Sequence, residues 1–453
     1  MKTDNFSSLK LPDEMLKNLD NIGYKSMTEI QAESLPSILD NKDLIAKAKT
    51  GSGKTAAFGI GLLSKLDVKK FRIQSLVLCP TRELADQVAR ELRTLAKFQH
   101  NIKILTLCGG VSFRYQESSL KHQAHIVVGT PGRILKHLNK SSLSLEDLNM
   151  LVLDEADRML DMGFIEEIEN VMEFAPKERQ TLLFSATYPD EIKELSKTIL
   201  KEPVEVEVQS TETPNEISEY FYAVEKKTKV DTLVNVFSNY KPSDAIVFCN
   251  TKIECDELAR DLQDLNIEAL ALHGDMEQYE RNDVLVQFAN KSCPLLVATD
   301  VAARGLDIKD LDMVVNFNVP HSTETYTHRI GRTGRAGAKG ISITLYESYE
   351  LDKLAEYKDD KKEFLESSTL KNITDFNMQA EYLTLVIEGG KKDKLRKGDI
   401  LGALTADIGL SGESIGKIDV YDRQCYVAIK NNVIKNITKN ITIKKKRFST
   451  WIL

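Results

Sequence analysis

The chain has 453 residues, 42% of them hydrophobic and 28% charged, a balance typical of a globular protein with about two to four domains. Its net charge of −7 argues against a protein that binds polyanions with its whole surface. Residues 381–453 nevertheless hold 14 Lys and Arg against 8 Asp and Glu, so this segment is predicted to meet a polyanion, with a solvated basic face as the alternative.

Short apolar runs alternate with amphipathic stretches from about residue 40 to residue 350. Runs such as SLVLCP and MLVLDEAD are typical of buried parallel strands, and RELADQVARELRTLAKF has helical periodicity. The alternation predicts doubly wound α/β domains with parallel sheets. It lapses twice, so we predict an α/β domain at 1–207, a linker at 208–216, a second α/β domain at 217–365, a linker at 366–380 and a small α+β domain at 381–453.

The loop AKTGSGKT follows a strand-like run and precedes a helix-like run. Its glycines let backbone N–H groups surround phosphate, Lys54 can reach the outer phosphates, and the Thr55 hydroxyl can hold Mg²⁺. A chance glycine-rich turn is the alternative, which the flanking strand and helix disfavour. The predicted phosphate contacts are Ala48, Lys49, Thr50, Gly51, Ser52, Gly53, Lys54 and Thr55.

The run MLVLDEAD ends a buried strand in two consecutive carboxylates. With Thr55, Asp154 and Glu155 are predicted to hold Mg²⁺, and Glu155 can also orient and deprotonate the attacking water. A solvated helix N-terminus would explain the same two residues if the phosphate loop were absent.

The run HRIGRTGRAG in the second half spaces three arginines with glycines between them. Phosphoryl transfer needs positive charge at the γ-phosphate, so Arg332 and Arg335 are candidate arginine fingers. A basic surface turn is the alternative.

Taken in chain order, these blocks resemble those of the DEAD-box RNA helicases from Phe6 to about residue 350. The matching blocks are the Q-motif region from Gly23 to Gln31, AKTGSGKT, PTREL, GG, TPGR, DEAD, SAT, IVFCNT, Q-x-x-R, ATDVAARGLD and HRIGRTGR. The resemblance implies two tandem RecA-like domains that use ATP and Mg²⁺ and locally unwind short RNA duplexes. The chain departs from the family at Met27 and Glu29, where proline is common.

The resemblance also implies roles for individual residues. Gln31 and Tyr24 would hold adenine with support from Phe6, and Asp307 would contact the ribose. His328 and the segment Ser185, Ala186 and Thr187 would couple hydrolysis to strand separation. The implied RNA contacts are Pro80, Thr81, Arg82, Gly109, Gly110, Thr130, Pro131, Gly132, Arg133, Gln278, Arg281, Thr299 and Asp300. These blocks contain few aromatics, so backbone recognition independent of RNA sequence is predicted.

The C-terminal segment resembles the RNA-binding module of the DbpA branch of bacterial DEAD-box proteins. This implies an RRM-like fold that directs the helicase to a hairpin of large-subunit ribosomal RNA, or to a pre-ribosomal particle, during ribosome assembly. Asp422–Ile429 offers Tyr426 where several aromatics are usual, so a grip on hairpin phosphates is predicted in place of base stacking. The candidate residues are Lys391, Lys392, Lys394, Arg396 and Lys397, with Lys444–Arg447. A small dimerisation or packing domain is the alternative, and the tail KKKRFSTWIL could be a final strand or a disordered basic end.

The remaining features bear on the compartment and on other functions. Six scattered cysteines without a C-x-x-C pair are typical of a reducing cytosol. We expect a cytoplasmic monomer without a signal peptide or membrane span. An ATP-gated RNA clamp, a general RNA chaperone without ribosomal specificity, and a non-enzymatic binder with a vestigial core stay open as alternatives.

Overall fold

A computed structural model describes residues 5–48, 51–208, 217–303, 311–334, 340–354, 362–372, 376–433 and 439–453. The described residues form two compact units, one at 5–208 and the other from residue 217 onward. Within the described ranges, no helix combines the length and the apolar character needed to span a membrane.

The first unit is a parallel seven-stranded sheet with the strand order β3-β4-β2-β5-β6-β1-β7. Its strands are β1 (Leu44–Lys47), β2 (Ser75–Leu78), β3 (Ile104–Leu107), β4 (Ile126–Gly129), β5 (Met150–Asp154), β6 (Gln180–Ser185) and β7 (Val204–Glu207). Its helices are α1 (Asp13–Asn21), α2 (Glu29–Leu39), α3 (Lys54–Ser64), α4 (Arg82–Leu95), α5 (Phe113–Leu120), α6 (Pro131–Asn139), α7 (Ala156–Asp161), α8 (Ile165–Glu173) and α9 (Asp190–Ile199).

Helices cover both faces of this sheet, as continuous apolar strands require. Val77 and Val152 face the side where Met15 and Leu92 pack, whereas the strand residues next to them face the cluster that contains α6, α8 and α9. Burial on both faces explains why runs such as MLVLD show no polar alternation. The predicted doubly wound architecture is confirmed.

The second unit contains a sheet of the same topology, with the strand order β10-β11-β9-β12-β13-β8-β14. Its strands are β8 (Ile217–Ala223), β9 (Ala245–Cys249), β10 (Ala269–Leu272), β11 (Leu295–Thr299), β12 (Met313–Asn316), β13 (Gly340–Tyr346) and β14 (Lys362–Glu366). Its helices are α10 (Lys229–Tyr240), α11 (Lys252–Asp264), α12 (Gln278–Ala289), α13 (Asp300–Ala303), α14 (Thr323–Ile330) and α15 (Leu351–Leu354). Each strand from β8 to β13 therefore has a counterpart from β1 to β6.

The segment expected to be a linker at 366–380 is packed in its described part. Met378 is buried, and its backbone pairs with the chain around Ile267. The Ala380 amide donates to Glu268 Oε2 at 2.7 Å. The apolar Phe376 and Met378 belong to the core of the second sheet, so this segment joins the second unit. Most of the other expected linker, 208–216, lies outside the described residues.

The small C-terminal domain belongs to the second unit and is an antiparallel sheet with the order β16-β17-β15-β19-β18. Its elements are β15 (Tyr382–Ile387), α16 (Lys397–Gly402) with a π-helical continuation at Ala403–Asp407, β16 (Ile415–Val420), β17 (Cys425–Lys430), β18 (Asn440–Ile443) and β19 (Lys446–Ile452). The described chain thus resolves the alternative left open for the tail, which ends in a strand.

The two faces of β15 have different neighbours, because successive side chains of a strand point to opposite sides. Leu385 and Ile387 pack on α16 in the domain core. Thr384 and Val386 point the other way and are also buried. Asn290, directly after α12, donates through Nδ2 to Thr384 Oγ1 at 2.9 Å.

The outer sheet face of the small domain is therefore docked on α12 of the second α/β domain. Val286 forms an apolar cluster with Val386 and Tyr426, and the Tyr426 hydroxyl donates to Asp283 Oδ1 at 2.9 Å. An RRM stacks RNA bases on its sheet face. Tyr426, the aromatic considered for that role, instead contacts protein.

Candidate functional site

The sheet order sorts the predicted site residues of the first unit into two groups. The implied RNA segments follow β2, β3 and β4, which are neighbours, and the nucleotide segments follow β1, β5 and β6, which are also neighbours. In parallel sheets, ligands bind at the carboxyl ends of the strands. Both groups therefore lie at one edge of the sheet, and β2 and β5 join them.

The phosphate loop leads from β1 into α3, and its glycines adopt left-handed backbone conformations. Gly51 has φ +88° and Gly53 has φ +96°. A Cβ at Gly53 would lie 2.5 Å from Gln31 Nε2, so only glycine fits there. Lys54 is buried, and its Nζ donates to the Ala48 carbonyl at 2.8 Å. Lys49 and Thr50 lie outside the described residues.

The residues expected to bind adenine lie near the N-terminus of α2. The Gln31 side chain accepts from the Thr28 amide at 2.9 Å and donates to the Gly53 carbonyl at 3.1 Å. Phe6 packs edge-on against Tyr24 at 6.4 Å between ring centroids. The amide of Gln31 has a second N–H and a second oxygen lone pair, the pair of groups that an adenine edge requires.

The two departures from the family pattern fit this local structure. Met27 is buried in the apolar cluster around α1 and α2. Glu29 is the first residue of α2, where a carboxylate is favoured by the helix dipole.

Asp154 ends β5 as a buried carboxylate, and its Oδ1 has no hydrogen-bond partner among the described residues. The pKa of Asp154 is raised to about 7, chiefly by burial; the positive charge of Lys54 opposes this rise and the neighbouring charge of Glu155 adds to it. A buried, unsatisfied carboxylate beside a second one suits a divalent cation with oxygen ligands. The donor set of Thr55, Asp154 and Glu155 therefore fits Mg²⁺.

Glu155 adopts a left-handed conformation, with φ +53°. Its Oε2 lies 3.2 Å from Arg158 Nη1 as a buried ion pair without hydrogen-bond alignment. Strained backbone at such a turn is a feature of functional sites. The strand ends at Asp154, and Glu155 is the N-cap residue of α7.

Sequence reasoning missed Asp157, which connects the DEAD and SAT segments. Its Oδ2 accepts from the amides of Ala186 and Thr187 at 3.0 and 2.9 Å and from Thr187 Oγ1 at 3.1 Å. Its own amide donates to Ser185 Oγ at 3.2 Å. All three SAT residues are therefore hydrogen-bonded to the DEAD segment, so a displacement of the DEAD segment would also displace them. The spacing of the two blocks in sequence carries no sign of this contact.

The implied RNA residues of the first unit converge at the ends of β2, β3 and β4. Thr81 caps α4 by accepting from the Leu84 amide at 3.2 Å, and Pro80 is buried before it. A Cβ at Gly109 would lie 2.8 Å from Arg82 Nη2, so the Arg82 guanidinium packs directly on that glycine. The adjacent Gly110 is exposed.

The TPGR segment forms the start of α6. Thr130 is its N-cap, Pro131 occupies the first helical position and Gly132 is exposed. Arg133 Nη1 donates to the Val111 carbonyl at 2.9 Å. Burial and the nearby positive charge of Arg82 lower the pKa of Arg133. Two close guanidinium groups favour a phosphate as the anion.

His137 lies below this surface and should make the stability of the protein depend on pH. Burial lowers its pKa to about 4, helped by the charges of Arg133, Lys136 and Lys140. A histidine in an unfolded chain has a pKa of ~6.5. Between about pH 4 and about pH 6.5, His137 therefore binds a proton in the unfolded chain but not in the folded chain. The contribution of His137 to stability is therefore complete above pH ~6.5 and is lost as the pH falls towards 4.

Between pH 7 and pH 5, we accordingly expect the melting temperature of His137→Gln to fall by about 3–6 °C less than that of the wild type. Thermal melts at both pH values measure this difference. His100→Gln, at an exposed histidine, is the control and should follow the wild type. Parallel pH profiles for His137→Gln and the wild type would contradict the argument.

Two of the implied RNA residues of the second unit, Thr299 and Asp300, lie at the end of β11, the counterpart of β4. Asp300 is held by Arg329, whose Nε and Nη2 donate to its two oxygens at 2.7 Å each. Arg329 is buried and also binds the side chains of Asn250 and Asn316. The Asp300 carboxylate is therefore engaged in a contact within the protein. Thr299, directly before it, is the last residue of β11.

Gln278 begins α12 and donates to Asn282 at 3.2 Å. Arg281 is buried, and its guanidinium donates to the His273 carbonyl at 3.1 Å and to that of Ala302 at 3.5 Å. Arg281 thereby holds α13, which contains Asp300, against α12.

Thr251, after β9, caps α11 by accepting from the Glu254 amide at 3.2 Å. This is the same contact that Thr81 makes after β2, the counterpart of β9. The IVFCNT block thus occupies the position in the second sheet that PTREL occupies in the first. The sequence pattern alone does not single out Thr251 within this block.

Arg332 is buried and His328 is half-buried near the end of α14. Asp307 and Arg335 lie outside the described residues.

The basic residues expected in the small domain lie on one surface. Lys391, Lys392, Lys394 and Arg396 are exposed in the loop between β15 and α16. Lys444, from the turn between β18 and β19, donates to the Lys394 carbonyl at 3.0 Å. Lys446 pairs with Asp393 in the same loop. Two basic segments that are distant in sequence therefore form one surface, here called the basic loop surface.

Three family models match the chain. Residues 28–195 match a DEAD/DEAH box helicase domain, residues 228–337 a helicase conserved C-terminal domain, and residues 384–450 a DbpA RNA binding domain. Together they cover both α/β domains and the small domain.

Curated relatives match over nearly the whole length. The chain is 51% identical to the ATP-dependent RNA helicase DbpA of Escherichia coli, over 96% of each chain. It is 37% identical to DbpA of Bacillus subtilis, over 98% of each chain. Among solved structures, Saccharomyces cerevisiae Dbp5 bound to RNA and ADP BeF3 is 30% identical, with a TM-score of 0.71 over 80% of this chain and 96% of that one.

Proposed function

The chain belongs to the DbpA type of the DEAD-box ATP-dependent RNA helicases, and from this premise we propose that it remodels large-subunit ribosomal RNA during ribosome assembly. It is an ATPase and RNA helicase with an RNA-binding C-terminal domain. The proposal concerns its target, a structured hairpin held by the basic loop surface. The observation that carries it is the convergence of Lys394 and Lys444 on one surface of the docked domain.

The nucleotide chemistry follows from the end of β5. Loop amides and Lys54 would bind the phosphates, and Glu155 would orient and deprotonate the attacking water. Thr55, Asp154 and Glu155 would hold Mg²⁺, which supplies charge neutralisation at the phosphates when bound. We propose that Arg332 and Arg335 stabilise negative charge on the γ-phosphate and that Asp307 contacts the ribose.

Coupling between nucleotide and RNA is supported by the strand register. Leu78 of β2 pairs with Leu153 of β5, so the PTREL segment begins beside Asp154. On the other side, Asp154 pairs with Phe184, next to the SAT segment. A shift of the carboxylate segment would therefore reach both the RNA-facing loop and SAT, since Asp157 binds SAT directly.

RNA recognition divides between two kinds of surface. In the α/β domains, Arg82 and Arg133 offer guanidinium groups beside exposed glycine backbone, which suits phosphates of any sequence. In the small domain, exposed lysines surround a loop whose neighbouring sheet face is occupied by α12. Such a surface suits the shape and phosphates of a folded hairpin.

We also propose that the protein acts as a monomer in the cytoplasm. All six cysteines are buried and free, which suits a reducing compartment. The outer sheet face of the small domain, which could have served a dimer, is occupied within the same chain.

Stimulation of ATP hydrolysis by a panel of RNAs tests the target. We expect a fragment carrying the large-subunit hairpin to half-saturate the full-length protein at a concentration about tenfold or more below that of an unrelated hairpin of equal length. Equal half-saturation would overturn ribosomal targeting and favour a general RNA chaperone. Unwinding of a short duplex attached to each hairpin separates the helicase from an ATP-gated clamp, which would bind without strand release.

A further inference from the structure

Gln116 is buried beneath the RNA-facing edge of the first sheet and belongs to none of the segments assigned there. It lies on α5 and is 3% exposed. Its Nε2 donates to the Cys108 carbonyl at 2.9 Å, directly before Gly109 and Gly110. Its Oε1 accepts from Arg133 Nη1 at 2.7 Å, in the TPGR segment.

One side chain therefore connects two segments that the proposed function assigns to RNA. The connection needs an amide, because the Cys108 carbonyl requires a donor and the Arg133 guanidinium requires an acceptor. The fixed donor bond sets which end of the amide faces Arg133, so the orientation of Gln116 is determined by its partners.

His137 holds the same amide from the other side. Its Nε2 lies 3.1 Å from Gln116 Oε1, and its Nδ1 lies 2.8 Å from Ser142 Oγ. Its ring stacks on Phe113 at 4.1 Å between ring centroids. The Nε2–H tautomer satisfies Gln116, and the lowered pKa keeps the ring neutral at physiological pH. Gln116 thus has little freedom to follow Arg133 if that side chain moves.

These contacts fix the orientation of the Arg133 guanidinium group. Both contacts of its guanidinium use Nη1, which donates to Gln116 and to the Val111 carbonyl. A guanidinium held at one nitrogen presents its remaining edge in a fixed orientation, which suits a bidentate contact with phosphate. Arg82 is fixed beside it by packing on Gly109, so the spacing of the two cations also depends on Gln116.

We propose that Gln116 is a positioning residue for RNA binding, which sets the direction of Arg133 and ties the GG segment to the TPGR segment without touching RNA. This inference rests on the proposed RNA role of Arg133. Pre-organisation of a long side chain raises affinity because less rotamer freedom is lost on binding.

A double-mutant cycle tests it, with Gln116→Ala, Arg133→Ala and the combined variant. The measured quantities are the RNA concentration that half-saturates ATPase stimulation, its dependence on salt, and the rate at saturating RNA. We expect Arg133→Ala to raise the half-saturating concentration about tenfold and to lower the salt slope by about 1. Gln116→Ala should raise it by about three- to tenfold, with the saturated rate retained, and should add nothing in the Arg133→Ala background.

The possible results distinguish the proposed RNA contact of Arg133 from the proposed positioning role of Gln116. No effect of Arg133→Ala on half-saturation would overturn the proposed RNA contact. An effect of Arg133→Ala with none of Gln116→Ala, or with multiplying effects in the combined variant, would leave that contact intact and overturn the positioning role. Ser118→Ala, at an exposed residue of the same helix, is the matched control and should behave as wild type.

Gln116→Glu keeps the test valid if Gln116→Ala fails to fold. A carboxylate has the same length and pairs with Arg133, but it cannot donate to the Cys108 carbonyl and it neutralises the guanidinium charge. We expect a salt slope lower by about 1. An unchanged slope and half-saturation in a folded Gln116→Glu variant would overturn the proposal.

Discussion

Glu155→Gln is expected to reduce RNA-stimulated ATP hydrolysis by about 10²–10⁴-fold, the range that a general base contributes. Glutamine keeps the shape of the side chain in its strained turn but cannot accept a proton from water. Binding of ATP and RNA should persist, because Lys54 and the phosphate loop are unchanged. Steady-state hydrolysis and retention of labelled RNA in the presence of ATP measure the two parts of this prediction.

The controls for this prediction address folding and the alternative functions. Arg158 is buried against Glu155, and loss of a buried ion-pair partner is destabilising, so a thermal melt must accompany the assay. Glu169→Gln, at an exposed glutamate, should retain full activity. Hydrolysis at the wild-type rate by Glu155→Gln would refute the base assignment. ATPase activity that survives in Lys54→Ala would mean that hydrolysis arises elsewhere, while its disappearance excludes a vestigial core.

Reversing three charges of the basic loop surface is the second prediction with a large effect. Lys391, Lys392 and Lys394 are exposed together, and each phosphate contact contributes about 0.9 to the salt slope of binding. The triple change to glutamate should weaken hairpin binding by about 10²-fold or more and lower the slope by about 3. Stimulation by unstructured RNA, which depends on the α/β domains, should change little. Filter binding across a salt series measures both quantities.

The full-length protein is the right background for this experiment. Deleting residues 381–453 would uncover Val286 and Asn290, which the small domain covers. A matched control reverses the exposed lysines 193, 197 and 201 of the first unit, with the same change in net charge. If both triple variants lose hairpin binding equally, long-range charge explains the loss, and the basic loop surface is not the binding site.

The sequence predicted the architecture because local rules and topology agreed. Apolar runs without polar alternation indicated strands buried on both faces, and MLVLD and SLVL are such strands. Parallel strands then brought the ends of β1, β5 and β6 together, as the ordered blocks required. Gly53 has a positive φ in the loop between β1 and α3, a requirement of local geometry that glycine meets.

Contacts between distant side chains could not be predicted in the same way. Gln116 and Asp157 have ordinary neighbours in sequence, and their importance depends on partners up to 30 residues away. The docking of Val386 on Val286 depends on which sheet face meets a helix 100 residues earlier. Composition marks both faces of β15 as apolar, so the sequence alone does not distinguish a core face from an interface.

The helix α12 links two parts of the second unit that are both assigned to RNA. Gln278 is its first residue, and the small domain contacts Asp283 at its middle and Val286 and Asn290 towards its other end. Twelve helical residues span about 18 Å at 1.5 Å per residue. An RNA that engages both places must therefore carry its hairpin and its contacted strand at a matching separation. Among RNAs with equally good hairpins, the length of the intervening spacer would then select the substrate.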